Sequence, residues 1–284
     1  MEMVASRHFR RLVYSDKRFR PNHMKKRIIA TLISGLAAVS SVHAATLIAH
    51  FPLDADGNSA DGAFTASTTN NVTFGTAGAN ANTGTSATFN GTDSLIQHDW
   101  SASLNPQNFT LSLWAKSSGG AGGFQSAVTS RHDLNPDSQG FVIYDANDGN
   151  WQYWSGNGPL EGNWQTSIGA AVALGEWQHI ALTYDHATTT KSLYVNGVLS
   201  VETVASIEPN DTTPFNIGSG EDFGTGFRFS GEIDDIGLWD GALTAQQIQS
   251  VMTQGVAGAA VPEPSVSGLL ALATGALIAR RRRK

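Results

Sequence analysis

Ser192-Leu193-Tyr194-Val195 and Val198-Leu199-Ser200-Val201 flank Asn196-Gly197, and no other stretch restricts the fold of this chain more. An Asn-Gly pair fits a two-residue type I′ loop, because both turn positions need φ > 0, and such a loop makes its flanking runs pair antiparallel. The same texture fills residues 45–260. Short runs rich in Val, Ile, Thr, Phe, Tyr and Trp alternate with Gly, Asn, Asp and Ser. Strands are expected over Thr46 to Leu53, Ser86 to Phe89, Leu95 to His98, Phe141 to Tyr144, Trp151 to Trp154, Trp177 to Tyr184 and Phe227 to Trp239. In Phe109 to Trp114 apolar and polar residues alternate as in a half-buried strand. The sole good helix signal is short. Thr244 and Gln247 make a capping box, Ile248, Val251 and Met252 share a face, and Gly255 ends it. Thr65 to Thr85 reads as loop or poorly formed strand. About 216 residues of this kind suit one all-β domain.

Both ends of the chain differ from this body. Met24-Lys25-Lys26-Arg27, the apolar run Ile28 to Val42 and the small-residue site Val42-His43-Ala44 have the form of an export signal cleaved after Ala44. Residues 1–23, with Arg7, Arg10, Arg11, Lys17, Arg18 and Arg20, are either a basic extension or the product of a misassigned start. At the other end, Val261-Pro262-Glu263-Pro264 precedes an apolar run from Val266 to Ala279 and then Arg280-Arg281-Arg282-Arg283-Lys284. That run makes about 21 Å of helix against a hydrocarbon core of about 30 Å, a short span with its basic end cytoplasmic. This tail resembles the PEP-CTERM sorting signal of Gram-negative bacteria, with Pro262, Glu263 and Pro264 as the recognised motif. The resemblance implies transient insertion in the inner membrane and removal by an exosortase, leaving the body at the cell surface or in the extracellular matrix.

The ends also hold most of the positive charge. The whole chain carries −6, but residues 45–260 hold four basic residues (Lys116, Arg131, Lys191, Arg228) against 21 acidic ones, a net of −17. Such a body does not seek nucleic acid or anionic lipid heads. With no cysteine, it has no disulfide, thiolate nucleophile or Cys-zinc site.

Six segments in order resemble the LamG-like, concanavalin A-like lectin/glucanase family. They are Leu47 to Asp54, Ala87 to Thr92, Phe109 to Trp114, Gly175 to Ala181, Leu193 to Gly197, and Gly231 to Ile236 with Trp239 and Leu243 to Ile248. The resemblance implies a jelly-roll β-sandwich of two antiparallel sheets, about six or seven strands each, with one short C-terminal helix. It leaves function open, because the fold hosts binding modules, enzymes and adhesion domains. Laminarinase-type relatives carry Glu-x-Asp-x-x-Glu on one strand, and paired carboxylates about 5–5.5 Å apart serve retaining hydrolysis. Glu232-Ile233-Asp234 begins like that motif, but Gly237 stands where the second Glu belongs, so both residues read as structural.

Asp54, Asp61 and Asp235 match acidic positions of the family pattern, which implies a structural Ca²⁺ shared by the first and last strands; the alternative is that these residues cap turns. Ligand binding rests on aromatics. Trp151, Tyr153 and a loop Trp164 would offer flat faces to sugar rings, with Asn157 and Asn163 supplying hydrogen bonds. Strand alternation sets Trp151 and Tyr153 on one face and Trp154 on the other, so at least one belongs in the core, and simple packing of all four is the competing reading. Trp114, Trp177 and Trp239 read as core, and His179 as a sheet histidine. The expected function is therefore non-catalytic binding of a polysaccharide or glycoconjugate. An adhesion or structural envelope protein with a protein partner is the alternative, and a glycoside hydrolase of the same fold comes third.

Overall fold

A computed structural model of the chain describes residues 45–259, apart from 120–122, 135–136 and 160–162. The export signal, the basic extension and the C-terminal signal with Pro262, Glu263 and Pro264 lie outside the described residues. In chain order the first strands are β1 (Thr46–Phe51), β2 (Thr68–Asn70), β3 (Thr73–Ala77), β4 (Thr85–Asn90) and β5 (Leu95–His98). There follow β6 (Phe109–Ser117), β7 (Gln125–His132), β8 (Gln139–Asp145), β9 (Asn150–Gly156) and β10 (Trp164–Ala171). The last are β11 (Gln178–Asp185), β12 (Thr190–Val195), β13 (Val198–Val204), β14 (Phe215–Ile217) and β15 (Ser230–Asp240), before helix α1 (Ala245–Gln254). Among the described residues, no helix is long and apolar enough to cross a membrane.

The strands form two antiparallel sheets, an eight-stranded one ordered β13-β12-β11-β6-β15-β4-β3 with β1 added to β15, and a seven-stranded one ordered β10-β9-β8-β7-β14-β5-β2. β15 organises the first sheet. Its start pairs with β4 and its end with β1, while β6 runs along its other side. The exchange of partners occurs at a bulge between Asp234 and Gly237, where Asp235 takes φ +49. A bulge twists and redirects a strand, which suits a strand that must serve two neighbours in turn.

Alternate residues of both sheets meet in one core that includes Phe51, Ile96, Leu111, Ile143, Trp151, Tyr153, Leu182, Leu193 and Ile233. A second cluster lies outside the eight-stranded sheet, where Ile248 and Val251 of α1 cover Ala181, Tyr194 and Trp239. Both capping-box bonds of α1 are present. The Asn196-Gly197 turn has φ +52 and +72, the positive pair that a type I′ loop requires.

Two findings differ from the sequence expectation, and a third concerns a residue for which the sequence carried none. β2 and β3 are formed strands, and β7, β10 and β14 arise where the sequence shows no clear strand signal. Trp114 and Trp177 are half-buried outside the core; Lys116 stands over the Trp177 ring at 5.9 Å, and Trp114 packs edge-on against His179 at 5.2 Å. Lys191 is buried. Its ammonium donates to the Tyr153 carbonyl (3.3 Å), Ser155 Oγ (2.9 Å) and the Gln165 carbonyl (2.7 Å), so all three of its protons have acceptors.

Candidate functional site: an aromatic hollow on the seven-stranded sheet

The outer face of the seven-stranded sheet carries the side chains that alternation turns away from the core. On β8, Phe141 and Ile143 face inward, and Val142 and Tyr144 outward. On β9, Trp151 and Tyr153 face inward and Trp154 outward. Register then gathers the outward set, because Val142 and Thr166 flank Trp154, and Trp164 lies opposite Gly156. Phe124, just before β7, and Phe227, just before β15, close one end. Trp154 meets Phe124 at 5.5 Å and Tyr144 at 5.7 Å, and Tyr144 meets Phe227 at 5.5 Å, all near-perpendicular. Such edge-to-face contacts are a favoured aromatic arrangement.

These rings border a hollow of about 260 Å³, lined by Phe124, Arg131, Asp133, Val142, Tyr144, Trp154, Trp164, Glu221 and Phe227. A wider hollow of about 670 Å³ continues past Phe124 and Phe227 toward Gly119, Arg228 and Ser230. Phe227, on the ridge between them, is 37% exposed and holds φ +50. A bulky residue rarely takes that conformation, and strain of this kind concentrates at functional sites.

Arg131 forms the polar wall. Its Nε donates to Asp222 at 2.7 Å, one terminal nitrogen to Asp133 at 2.8 Å and the other to the Gly220 carbonyl at 3.3 Å. The guanidinium lies 5.3 Å from the Trp164 ring centroid, a cation–π distance that fixes the indole as well as the cation. Burial opposes the Arg131 charge, but Tyr144, Asp222 and Asp133 around it raise its affinity for the proton above the ordinary value. Burial also pushes the Tyr144 phenol up to about 12, so it stays protonated. Trp154 is held by Nε1 donating to Gln152 at 2.7 Å. The site thus presents two fixed indoles beside a buttressed arginine.

Of the five residues expected to contact a ligand, only Trp164 lines this hollow. Trp151 and Tyr153 are fully buried, because the alternation that separates them from Trp154 turns their side toward the core. Trp151 Nε1 donates inward to Gln178 at 2.9 Å. Asn157 and Asn163 bond each other at 2.5 Å and are not among the lining residues. Trp164 opens β10 instead of lying in a loop.

The Laminin_G_3 family, described as the concanavalin A-like lectin/glucanases superfamily, matches residues 89–249. The chain belongs to that superfamily. A comparison with curated proteins gives no match. Among solved structures, domain 4 of AbnA, an extracellular GH43 arabinanase from Geobacillus stearothermophilus in complex with arabinotriose, is similar at a TM-score of 0.57 and 22% identity, over 74% of this chain and 100% of that one. The binding domain of Paraclostridial Mosquitocidal Protein 1 is similar at 0.56 and 16%, over 72% of this chain and 51% of that one. A Trypanosoma rangeli sialidase in complex with a difluoro-KDN ligand is similar at 0.55 and 16%, over 72% of this chain and 32% of that one. The chain thus spans the whole arabinanase domain, about half of the toxin domain and a third of the sialidase. At these identities the likeness is one of fold.

The lectin/glucanase family directs attention to the acidic residues of the other sheet. Glu232 accepts from Lys116 at 3.3 Å, outside the aromatic hollow. The three aspartates expected to share calcium do not converge. Asp61 takes the Ser59 hydroxyl (2.7 Å) and the Ala63 N–H (3.0 Å) in its own turn, which holds its carboxyl below the usual range. Asp235 is engaged by His50 (2.8 Å) and by the Val256 N–H (2.9 Å) after α1. Among the described residues no group of three or more His, Asp or Glu gathers as a metal site. Asp54 has a different neighbour. Asp234 is buried, takes Ala79 N–H and the Thr83 hydroxyl on Oδ2, and leaves Oδ1 with no partner among the described residues. Burial pushes its carboxyl up to about 6, and the charges of Asp235 and Asp54 add to that. A side chain at Gly84 would strike Asp54 and one at Gly78 would strike Asp234, so glycines let this loop approach both carboxylates. Asp234 Oδ1 is thus an orphaned carboxylate oxygen within reach of the Asp54 charge, and carboxylate oxygen is the donor type that calcium prefers.

Proposed function

We propose that this is a non-catalytic carbohydrate-binding protein, exported by its N-terminal signal and sorted by an exosortase to the surface or matrix of a Gram-negative bacterium. The observation that carries the binding role is the hollow in which Trp154 and Trp164 stand half-buried beside Arg131 on the outer face of a sheet. Sugar rings have apolar faces and polar edges, and a rigid indole with placed hydrogen-bonding groups complements both. The arabinotriose complex of the similar arabinanase domain supports a saccharide as the ligand class. Binding of the mature body to a glycan array, with Trp154→Ala and Trp164→Ala compared with wild type, tests the reading. Glycan binding lost in both variants with the fold retained supports it, and wild-type binding to no glycan overturns it.

A protein partner in an adhesion role is favoured by one other feature. Edge strand β13 exposes Val198, Leu199 and Val204, the last at 79%, and exposed apolar edges invite pairing with another chain. Failure on the array together with concentration-dependent self-association or capture of an envelope protein would favour this second reading.

Calcium enters the proposal as a structural ion held by Asp54 and Asp234, in place of the Asp54, Asp61 and Asp235 set. Added Ca²⁺ should raise the melting temperature of the wild type and leave Asp234→Asn unmoved; no shift in the wild type removes the ion from the account.

A further inference from the structure

The body has four basic side chains, and each is already committed. Lys116 pairs with Glu232, and Lys191 is enclosed in the core by three oxygens. Arg228 donates to the Ser94 carbonyl at 3.1 Å and feels the charge of Asp93. Arg131, the cation within the aromatic hollow, is bound on two sides by Asp222 and Asp133 and on a third by Gly220. Those two carboxylates outweigh it.

Glu221 lines the same hollow, and its carboxylate makes no hydrogen bond among the described residues. It is seated against Gly226, where a side chain would collide with it. The wall around the two indoles therefore carries Arg131 against Asp133, Asp222 and Glu221, a net of −2, with Glu221 the carboxylate left to face a ligand. An anionic sugar would meet like charge here with no free cation to receive it, whereas an ammonium would meet an unpaired carboxylate beside aromatic faces, both of which attract cations.

Resting on the carbohydrate-binding reading above, we infer that this hollow selects glycans bearing amino groups over neutral ones and rejects uronates, with Glu221 as the residue that sets the preference. Preference by charge is a difference between affinities, built here from one attraction and one repulsion.

The test is calorimetric titration of the mature body at about pH 6, where sugar amines are protonated, with three tetrasaccharides: glucosamine, N-acetylglucosamine and galacturonate. The glucosamine oligomer should bind about fivefold more tightly than its acetylated counterpart, the scale of one partly exposed charge pair, and the galacturonate should bind more weakly than the acetylated oligomer by a factor on the order of five or more. Added salt should shrink the difference. Glu221→Gln should bring the two hexosamine ligands to equal affinity, whereas Asp56→Asn, an exposed change in a remote turn, should preserve the difference. Equal affinities of the two hexosamine oligomers in the wild type, galacturonate affinity matching that of the acetylated oligomer, or a preference that survives Glu221→Gln would overturn the inference while leaving the carbohydrate-binding reading intact. Absence of binding to all three and to a wider array would overturn both.

Discussion

Trp151 and Trp154 are three residues apart on one strand and meet opposite fates. Trp151 fills the core and donates to Gln178, and Trp154 stands outside over the hollow. Trp151→Ala should therefore cost about 3–5 kcal/mol of stability through the cavity it leaves. Trp154→Ala should lower the melting temperature less than Trp151→Ala does, because Trp154 is only half-buried, and should abolish glycan binding; paired melts and titrations separate the two. Lys191 makes a second prediction at this scale. Burial lowers its ammonium to about 7 in the folded state, against 10.5 in the unfolded chain. Between those values the unfolded state holds the proton more firmly, so this group makes stability rise with pH from about 7 upward. Melting of the wild type at about pH 7 and pH 9 should show that rise, and Lys191→Met should flatten it.

At the scale of elements, the hairpin and the helix were legible because their signals are local. Asn196-Gly197 needs only its own positive φ values, and Thr244 with Gln247 needs only one turn of helix. Thr244→Ala removes a cap bond and should cost about 1 kcal/mol, visible as a lower denaturant midpoint at an unchanged m-value. β7 was not legible. Gln125 and Ser130 are buried polar residues whose partners lie elsewhere in the chain, Ser230 for Gln125 and Asn105 for Ser130, while the buried Ser126 and Thr129 bond each other across the strand's own bulge. No local pattern marks a strand satisfied in that way. The hollow was partly legible. Alternation separates Trp154 from Trp151 and Tyr153 but does not say which side is inner, since that depends on the opposing sheet. Arg131 and Asp222 are 91 residues apart, and Phe124 meets Phe227 only through the fold. One signal did exist: an arginine among only four basic residues in so acidic a body needs a reason to be there.

Over the described residues the molecule is an acidic sandwich that buries two neutral histidines, His98 in the core and His179 beneath the outer surface of a sheet. Packing beside Phe51 and Phe215 buries His98 and pushes it down to about 4, and burial under the sheet surface pushes His179 down to about 3. The unfolded chain binds those protons near 6.5, so the stability that these groups contribute is complete above that pH and is lost as pH falls toward 4 and 3. His98→Phe, of similar size and without the titration, should lose less stability than wild type between about pH 6 and pH 4 in thermal melts.

In the proposed function, glycan is held by the outer aromatic hollow of the seven-stranded sheet. Its most direct test is the set of seven tryptophan indole N–H signals, followed by NMR during titration with a bound oligosaccharide. The Trp154 and Trp164 signals should move together and saturate with the binding curve, while those of Trp151 and Trp239, buried beneath other layers, stay in place. Movement confined to Trp100, Trp114 or Trp177, none of which lines the hollow, would place the glycan elsewhere on the protein and overturn the assignment.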